Sequence, residues 1–148
     1  MTLDRSDVEL RTATYRAFVD LGRAPLAGEL ASRLGLEFAE IRAGWRRLHD
    51  AHALVLDDDG DIRMANPFSA VPTPYRVEAA GKEWYANCGW DAFGIGAALH
   101  VDSVIHSACP DCDEPIRLQV RDAQPDDTSL VFHVLVPAAT WWHDIGFT

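Results

Sequence analysis

The spacing of apolar residues changes along this 148-residue chain, and that change constrains the fold more than any other feature. In "SDVELRTATYRAFVDLGR", "PLAGELASRLGL" and "EFAEIRAGWRRLHDAHAL", apolar residues recur at roughly helical spacing, which predicts three helices. In "PIRLQVRD" they alternate with polar residues, and "SLVFHVLVPA" is a β-rich run, so both are predicted strands. The predicted fold class is α+β, with antiparallel strands in the second half.

The ends of the three helices follow from capping residues. The first opens with Ser6 as its N-cap and Glu9 three residues later, which is a capping-box pattern. The second has Pro25 in its first turn and stops near Gly35. The third places five apolar residues on one face: Phe38, Ile41, Trp45, Leu48 and Ala51.

A predicted hairpin follows the helices and suggests how the chain is divided. "LVLDDDGDIRMANP" places two short apolar segments around an Asp-Gly turn. Three helices followed by a hairpin is the order of a winged helix-turn-helix. We therefore predict a winged-helix-like module over residues 1–75 and a mixed α+β domain over residues 76–148. The Pro-punctuated "FSAVPTPYRV" is the extended connector between them.

The charge distribution argues against a nucleic acid partner. A winged helix would bind DNA through Arg42, Arg46 and Arg47 of the third helix, but its wing carries four aspartates between positions 57 and 61. The formal net charge is −10, and residues 81–148 carry three basic against ten acidic residues. Binding to phosphate needs clustered positive charge. We expect a small helical module whose role is packing within the protein rather than binding to DNA.

The location of the protein is predicted from what the sequence lacks. Its N-terminus has no basic and then apolar pattern of a signal peptide, and no apolar run approaches roughly 20 residues. Three cysteines cannot all pair within one chain, and free thiols suit a reducing compartment. The sequence predicts a cytoplasmic protein with no membrane partner.

All three cysteines lie in one window, "NCGWDAFGIGAALHVDSVIHSACPDC". Because "GWDAFGIGAALH" looks helical, Cys88 stands at a helix start with Asp91 on the same face. A thiolate at a helix start has a lowered pKa, and a buried carboxyl beside it can stay protonated and deliver a proton. A buried structural cysteine with a helix-capping aspartate explains the same spacing, so both interpretations stay open here.

Cys109-Pro-Asp-Cys112 is a CxxC pair with several interpretations. It could be half of a zinc site, a redox dithiol, a transient soft-metal site, or two structural thiols in a tight turn. A structural zinc site needs about four ligands, and a thioredoxin-like motif would need a βαβ context, which is missing. The remaining candidate ligands offer no second pair at ligand spacing: Cys88, His100, His106, His133 and His143.

The segment "ANCGWDAFGIGAALHVDSVIHSACPDCDEPI" resembles the central part of the organomercurial (alkylmercury) lyase family. That family has an "NC..D" element opening a helix, and then a strand leading to "S.C" and a short turn. "VLVPAATWWHDIGFT" is similar to the family's approach to its second catalytic cysteine. The N-terminal helices, the hairpin and the connector also resemble its winged-helix module and linker, so the resemblance covers most of the chain.

The resemblance implies a reaction and assigns its residues. Cys88 would take up the organomercury cation as a thiolate, and so would be both catalytic and the mercury ligand. Asp91 would move a proton onto the carbon leaving group. No organic cofactor is implied, and Hg(II) would pass to cellular thiols. Cys109 resembles the family's structural cysteine, expected to be largely buried and less reactive than Cys88, and Cys112 matches no family role.

The sequence differs from the family pattern at one point that affects catalytic turnover. The family's second mercury-binding cysteine follows a "DI.FT"-like segment, whereas this sequence ends at "DIGFT". The sequence could be a fragment, Cys109 or Cys112 could substitute, or the activity could be lost. Little hydrocarbon release is then expected unless one of these two thiols reaches the mercury. The alternative functions are a non-catalytic soft-metal or thiol-reactive binding protein and a winged-helix metal-responsive regulator.

Overall fold

Three helices open the chain in the computed structural model, which describes residues 3–134 and 136–146. They are α1 (Arg5–Leu21), α2 (Ala27–Leu34) and α3 (Phe38–Asp50). The three helices predicted from the apolar spacing are confirmed.

The N-cap of α1 differs from the one predicted. The carboxylate of Asp4 accepts a hydrogen bond from the backbone amide of Asp7 at 2.8 Å, so Asp4 is the N-cap and the Ser6 prediction is wrong. Ser6 instead donates its hydroxyl to the same carboxylate at 2.8 Å. Aspartate and serine are both strong N-cap residues, and here Asp4 accepts the free Asp7 amide at the start of α1.

The ends of α2 follow the prediction only at the C-terminal side. Pro25 lies ahead of the first turn, because α2 begins at Ala27. The carboxylate of Glu29 accepts the amide of Leu26 at 2.8 Å, which satisfies one of the donors at the helix start. The helix ends at Gly35, whose φ of 66° is the left-handed conformation that glycine adopts at little cost.

Helix α3 packs through a narrower face than predicted. Ile41, Trp45 and Leu48 are fully buried, whereas Phe38 at the first position is 57% exposed. Helix ends project beyond the core they pack on, which explains the exposed phenylalanine. The indole Nε1 of Trp45 donates to the Thr14 hydroxyl of α1 at 3.0 Å, so this buried pair joins the two helices.

Replacing Trp45 by phenylalanine should lower the free energy of unfolding by about 1–3 kcal/mol, because it removes a buried hydrogen bond and part of a buried ring. Urea denaturation followed by circular dichroism measures this change. Trp90→Phe is the matched control, since Trp90 is 67% exposed, and its effect should stay within about 0.5 kcal/mol. Equal unfolding midpoints for the two variants would contradict the role given to Trp45.

Within the part of the chain that the structure describes, eight strands form one antiparallel sheet with the order β1-β2-β3-β5-β4-β6-β7-β8. They are β1 (Val55–Leu56), β2 (Ile62–Ala65), β3 (Phe68–Ser69), β4 (Arg76–Ala79), β5 (Lys82–Ala86), β6 (Ser103–Ala108), β7 (Pro115–Arg121) and β8 (Gln124–Pro125). The α+β class with antiparallel strands is confirmed, and so is the hairpin at the Asp-Gly turn, where Gly60 has a φ of 77°. Because β3 pairs with β5, the sheet runs across residue 75. The division into two domains stays a prediction.

Helix α4 (Gly89–Leu99) connects β5 to β6 and packs on the sheet. Its buried face includes Ala92 and Ile95, both fully inaccessible. A Cβ at Gly96 would lie 2.6 Å from the Ser103 hydroxyl of β6, so a glycine lets the helix approach that strand closely. Among the described residues, no helix is long and apolar enough to cross a membrane.

The strand predicted over "SLVFHVLVPA" is wrong. None of the described residues of this run, 129–134 and 136–138, lies in a strand, and a 3₁₀ helix covers Ala138–His143. Strand propensity is realised only where a sheet partner is available, and the neighbouring edge strand β8 has two residues, one of them a proline. The run instead lies along the surface, and the side chain of Val131 is 86% exposed.

Candidate functional site

The cysteine window lies at one edge of the sheet. Strands β5 and β6 run in the same direction on either side of β4, and Tyr85 and His106 both pair with Arg76. Cys88 follows the end of β5 and Cys109 the end of β6, so the chain leaves both strands at the same edge. Two strand spacings place these two exits roughly 10 Å apart.

Cys88 is the N-cap residue of α4, with φ −152° and ψ 179°, and its side chain is half-buried. Asp91 is the third residue of that helix. An N-cap side chain points toward the residue three positions later, so the local backbone brings the thiol and the carboxyl to the same helix end. The predicted helix is confirmed, with Cys88 at its start.

Asn87 holds the carboxyl of Asp91. The Asn87 side-chain amide donates to Asp91 Oδ2 at 2.9 Å, and the same nitrogen lies 3.3 Å from Asn66 Oδ1 and from the Phe68 carbonyl oxygen. One oxygen of the carboxyl is therefore fixed by a side chain that is itself anchored on the β2–β3 region. This arrangement orients the second oxygen without occupying it.

Burial has the largest effect on the protonation of the Asp91 carboxyl and the Cys88 thiol. It raises the pKa of Asp91, and the hydrogen bond from Asn87 opposes that rise only in part. It also raises the pKa of Cys88, with the charge of Asp91 adding to the effect and the backbone amides of Asp91 and Trp90 opposing it. The lowered pKa predicted for Cys88 is therefore wrong, because loss of water outweighs the helix start. Burial shifts the equilibrium of both Asp91 and Cys88 toward the protonated form.

Helix α1 contributes two residues that sequence reasoning missed. The Tyr15 hydroxyl donates to the Asn66 carbonyl at 3.0 Å, and Arg11 Nη2 donates to that hydroxyl at 3.3 Å. The Arg11 guanidinium also lies 4.5 Å from the centre of the Tyr15 ring. Burial, with a contribution from the charge of Asp91, raises the pKa of Tyr15 while Arg11 lowers it. These residues hold the loop that carries Asn66. Asn66, Asn87 and Asp91 are joined by side-chain hydrogen bonds and form the Asp91 network.

An apolar wall stands beside Cys88. The Trp90 and Phe132 rings lie 6.3 Å apart between centres, and both are exposed. A Cβ at Gly89 would lie 2.8 Å from Phe132 Cε2 and 3.5 Å from Tyr75 Cε1, so the absent side chain lets both rings cover the helix start. Trp90, Phe132 and Tyr75 form this wall, and the sequence pattern did not single them out.

The CxxC pair forms the predicted turn between β6 and β7. The Asp113 amide donates to the Cys109 carbonyl at 2.9 Å, and the Cys109 amide donates to the Glu114 carbonyl at 2.9 Å. The amide of Asp111, then the amide and thiol of Cys112, lower the pKa of Cys109. Cys109 is half-buried like Cys88, and Cys112 is exposed. Cys109 was expected to be more buried than Cys88, but the two are buried to a similar degree. The lowered pKa that was predicted for Cys88 is found at Cys109 instead, and the pKa of Cys88 is raised.

The other predicted ligands do not gather around these thiols. Within residues 3–134 and 136–146, no group of three or more His, Cys, Asp or Glu side chains is placed to hold a metal ion. His106, the histidine nearest in sequence to the CxxC, pairs with Glu78 at 2.8 Å instead. This geometry gives no support to a structural zinc site.

Two of the three arginines proposed for DNA contact are paired within the protein. Arg42 lies 2.8 Å from the Asp61 carboxylate and also hydrogen-bonds the Asp59 carbonyl. Arg47 lies 2.8 Å from Asp7, a nearly buried carboxylate. These pairs reduce the positive charge that α3 could offer to a phosphate backbone.

Comparison with known proteins places the window in a recognised sequence family. The family model described as "MerB: Alkylmercury lyase" matches residues 68–148, more than half of the chain. The chain is also similar to a solved structure, the mercury-bound form of MerB2, with 26% identity and a TM-score of 0.66 over 86% of this chain. It spans 62% of the length of that structure. No match is found among curated proteins.

Proposed function

Because the chain belongs to the alkylmercury lyase family, we propose that it cleaves the carbon–mercury bond of an organomercurial by thiol capture and protonolysis. The observation that carries this proposal is the Asn87-held carboxyl of Asp91 at the same helix end as Cys88. A soft nucleophile and a proton donor are the two groups that the reaction needs. Cys88 and Asp91 are the proposed catalytic residues, and Cys88 is the proposed mercury ligand.

Capture of the substrate falls to Cys88. Its sulfur forms a bond to the mercury of R–Hg–X, the Hg–X bond breaks, and the thiol proton leaves with X. Thiolate sulfur is the protein ligand best matched to soft cations, so the exchange is favourable even for a thiol with a raised pKa. The product of this step is R–Hg bound to Cys88.

Cleavage of the carbon–mercury bond falls to Asp91. The carboxyl proton moves to the carbon, the electron pair of the C–Hg bond becomes the C–H bond, and the hydrocarbon leaves. Burial keeps the carboxyl protonated at a higher pH than an exposed aspartic acid, which suits a general acid. The carboxylate that remains then balances the positive charge of mercury on Cys88.

Release of Hg(II) requires thiols from outside the site. Two small thiols can displace mercury from Cys88 as a bis-thiolate, and one of their protons returns to Cys88 while the other returns to Asp91. We propose a cytoplasmic setting for this step, since small thiols are kept reduced there. No organic cofactor enters the proposed reaction.

The wall formed by Trp90, Phe132 and Tyr75 supports an organic substrate. The exposed rings of Trp90 and Phe132, at the helix start that Cys88 caps, offer an apolar surface to the carbon group of R–Hg. The comparisons do not favour the alternatives of a non-catalytic binding protein or a metal-responsive regulator. The ion pairs of Arg42 and Arg47 also count against a regulator that binds DNA.

The test is release of benzene from phenylmercuric acetate in buffer with excess small thiol, measured by gas chromatography. We expect a first turnover of about one benzene per chain, rather than the little release expected from the missing second cysteine, because a small thiol from the buffer can supply the second sulfur ligand to mercury on Cys88. Later turnovers should depend on the concentration of added thiol, because thiols remove the mercury. Benzene formed no faster than in thiol-containing buffer with heat-denatured protein would refute the proposal.

A further inference from the structure

The turn between β6 and β7 places two thiols three positions apart at the surface. Two backbone hydrogen bonds, from Asp113 to Cys109 and from Cys109 to Glu114, close this turn at 2.9 Å each. Cys112 is exposed and Cys109 is half-buried, so a solute reaches the pair without opening the fold. We propose that Cys109 and Cys112 form a second soft-metal site, a dithiolate that binds a thiophilic cation such as Hg(II) without Cys88.

The surroundings of the pair favour a cation. The Cys109 sulfur is hydrogen-bonded by the amides of Asp111 and Cys112 and by the Cys112 thiol, so the two thiols of the pair are in contact. Three carboxylates lie within or beside the turn, those of Asp111, Asp113 and Glu114. Their negative charge attracts a divalent cation and disfavours anionic ligands.

The number of available ligands selects the kind of metal. Zinc in a structural site needs about four ligands, and within the described ranges no third His, Cys, Asp or Glu joins the two thiols in a metal-binding group. Mercury(II) is satisfied by two thiolates in a linear arrangement. A lone dithiol therefore suits a soft cation of low coordination number better than it suits zinc.

The dithiol is separate from Cys88 but lies at the same sheet edge. The chain exits of β5 and β6 are roughly 10 Å apart, and Cys109 and Cys112 share a turn to which Cys88 does not belong. Mercury would enter by thiol exchange, in which Hg(SR)₂ and two protein thiols give the bound dithiolate and two RSH, with no oxidant or reductant. A role as acceptor of mercury released from Cys88 rests on the proposed function, whereas the binding itself does not.

The test uses Cys88→Ser protein, fully reduced, with mercuric chloride and excess glutathione, followed by desalting and mercury analysis by mass spectrometry. We expect about one mercury retained per chain. The double variant Cys88→Ser/Cys112→Ser should retain at least tenfold less, because a single thiol cannot compete with excess glutathione. The double variant Cys88→Ser/Ala108→Ser is the matched control, since it adds a serine at an exposed position next to the turn and keeps both thiols, and it should retain mercury.

Either of two results would overturn the proposal: no retention by Cys88→Ser, or equal retention with and without Cys112. Circular dichroism of each variant establishes that the fold is unchanged. Because inorganic mercury is used and Cys88 is absent, the outcome does not depend on carbon–mercury cleavage. Failure here would leave the benzene-release result standing, and failure of benzene release would leave this one standing.

Discussion

Replacing Cys88 by serine should reduce benzene release from phenylmercuric acetate to the level of thiol-containing buffer, a loss of at least ~100-fold, because the group that we propose forms the covalent intermediate is removed. Oxygen is a hard ligand and binds mercury far more weakly than sulfur. Serine is also a favoured N-cap residue, so α4 should keep its start and the protein its stability. The loss of activity would then report on the sulfur alone.

Two further measurements make the Cys88→Ser result specific. Peptide mass spectrometry after brief exposure to phenylmercury should find the adduct on the peptide with Cys88 in the parent chain, and no adduct at position 88 in the variant. Ala98→Ser is the control, since it adds a serine hydroxyl to an exposed position near the other end of α4 and should leave benzene release unchanged. Benzene release by Cys88→Ser at the parent rate would refute the assignment of the nucleophile.

Cys88 and Asp91 could be predicted together because their relation is local. A helix start brings the N-cap residue and the third helical residue together in any protein, so recognising the helix in "GWDAFGIGAALH" is enough. The same applies to α1, α2, α3 and the Asp-Gly hairpin, whose periodicities and turn residues lie within short stretches. In these places local sequence and tertiary structure agree.

The parts of the site that were missed depend on distant segments. Tyr15 lies 51 residues before Asn66, whose carbonyl accepts its hydrogen bond, and its helical spacing indicates only a core position. Phe132 covers Gly89 from a run whose composition predicted a strand. Neither position carries a local signal, because the contact exists only after the sheet and the three N-terminal helices are assembled.

The pKa directions were missed for a related reason. Sequence places Cys88 at a helix start, which lowers the pKa of a thiol, but the degree of burial that raises it is set by the packing around the site. The CxxC turn shows the opposite balance although Cys109 is also half-buried, because the hydrogen bonds from the amides of Asp111 and Cys112 and from the Cys112 thiol outweigh the loss of water there. Hydrogen bonding and desolvation compete at each thiol, and sequence reports on only the first of them.

Replacing Asp91 by asparagine should strongly reduce hydrocarbon release while leaving capture intact, because it removes only the proton that we propose Asp91 transfers. The amide has the shape of the carboxyl, and its oxygen can still accept the hydrogen bond from Asn87 that the carboxyl accepts at 2.9 Å. Loss of a general acid costs about 10²–10⁴-fold in rate. Benzene release should fall by that factor, and mass spectrometry should find phenylmercury held on Cys88.

The pH dependence provides a second readout for Asp91. A general acid acts while it is protonated, so benzene release from captured phenylmercury should fall as pH rises through the pKa of this carboxyl. Burial raises that pKa, so the fall should come at a higher pH than for an exposed aspartic acid. Asp91→Asn has no proton to lose in this range, and its residual release should not show the fall.

Asp50→Asn is the control for Asp91→Asn, because Asp50 is an exposed carboxylate at the end of α3 that takes no part in the Asp91 network, and this variant should match the parent in rate and pH profile. Benzene release by Asp91→Asn at the parent rate would show that another group donates the proton. A loss of phenylmercury capture together with release would show instead that Asp91 holds Cys88 in place. Only retained capture with lost release agrees with a carboxyl that supplies the proton to the carbon.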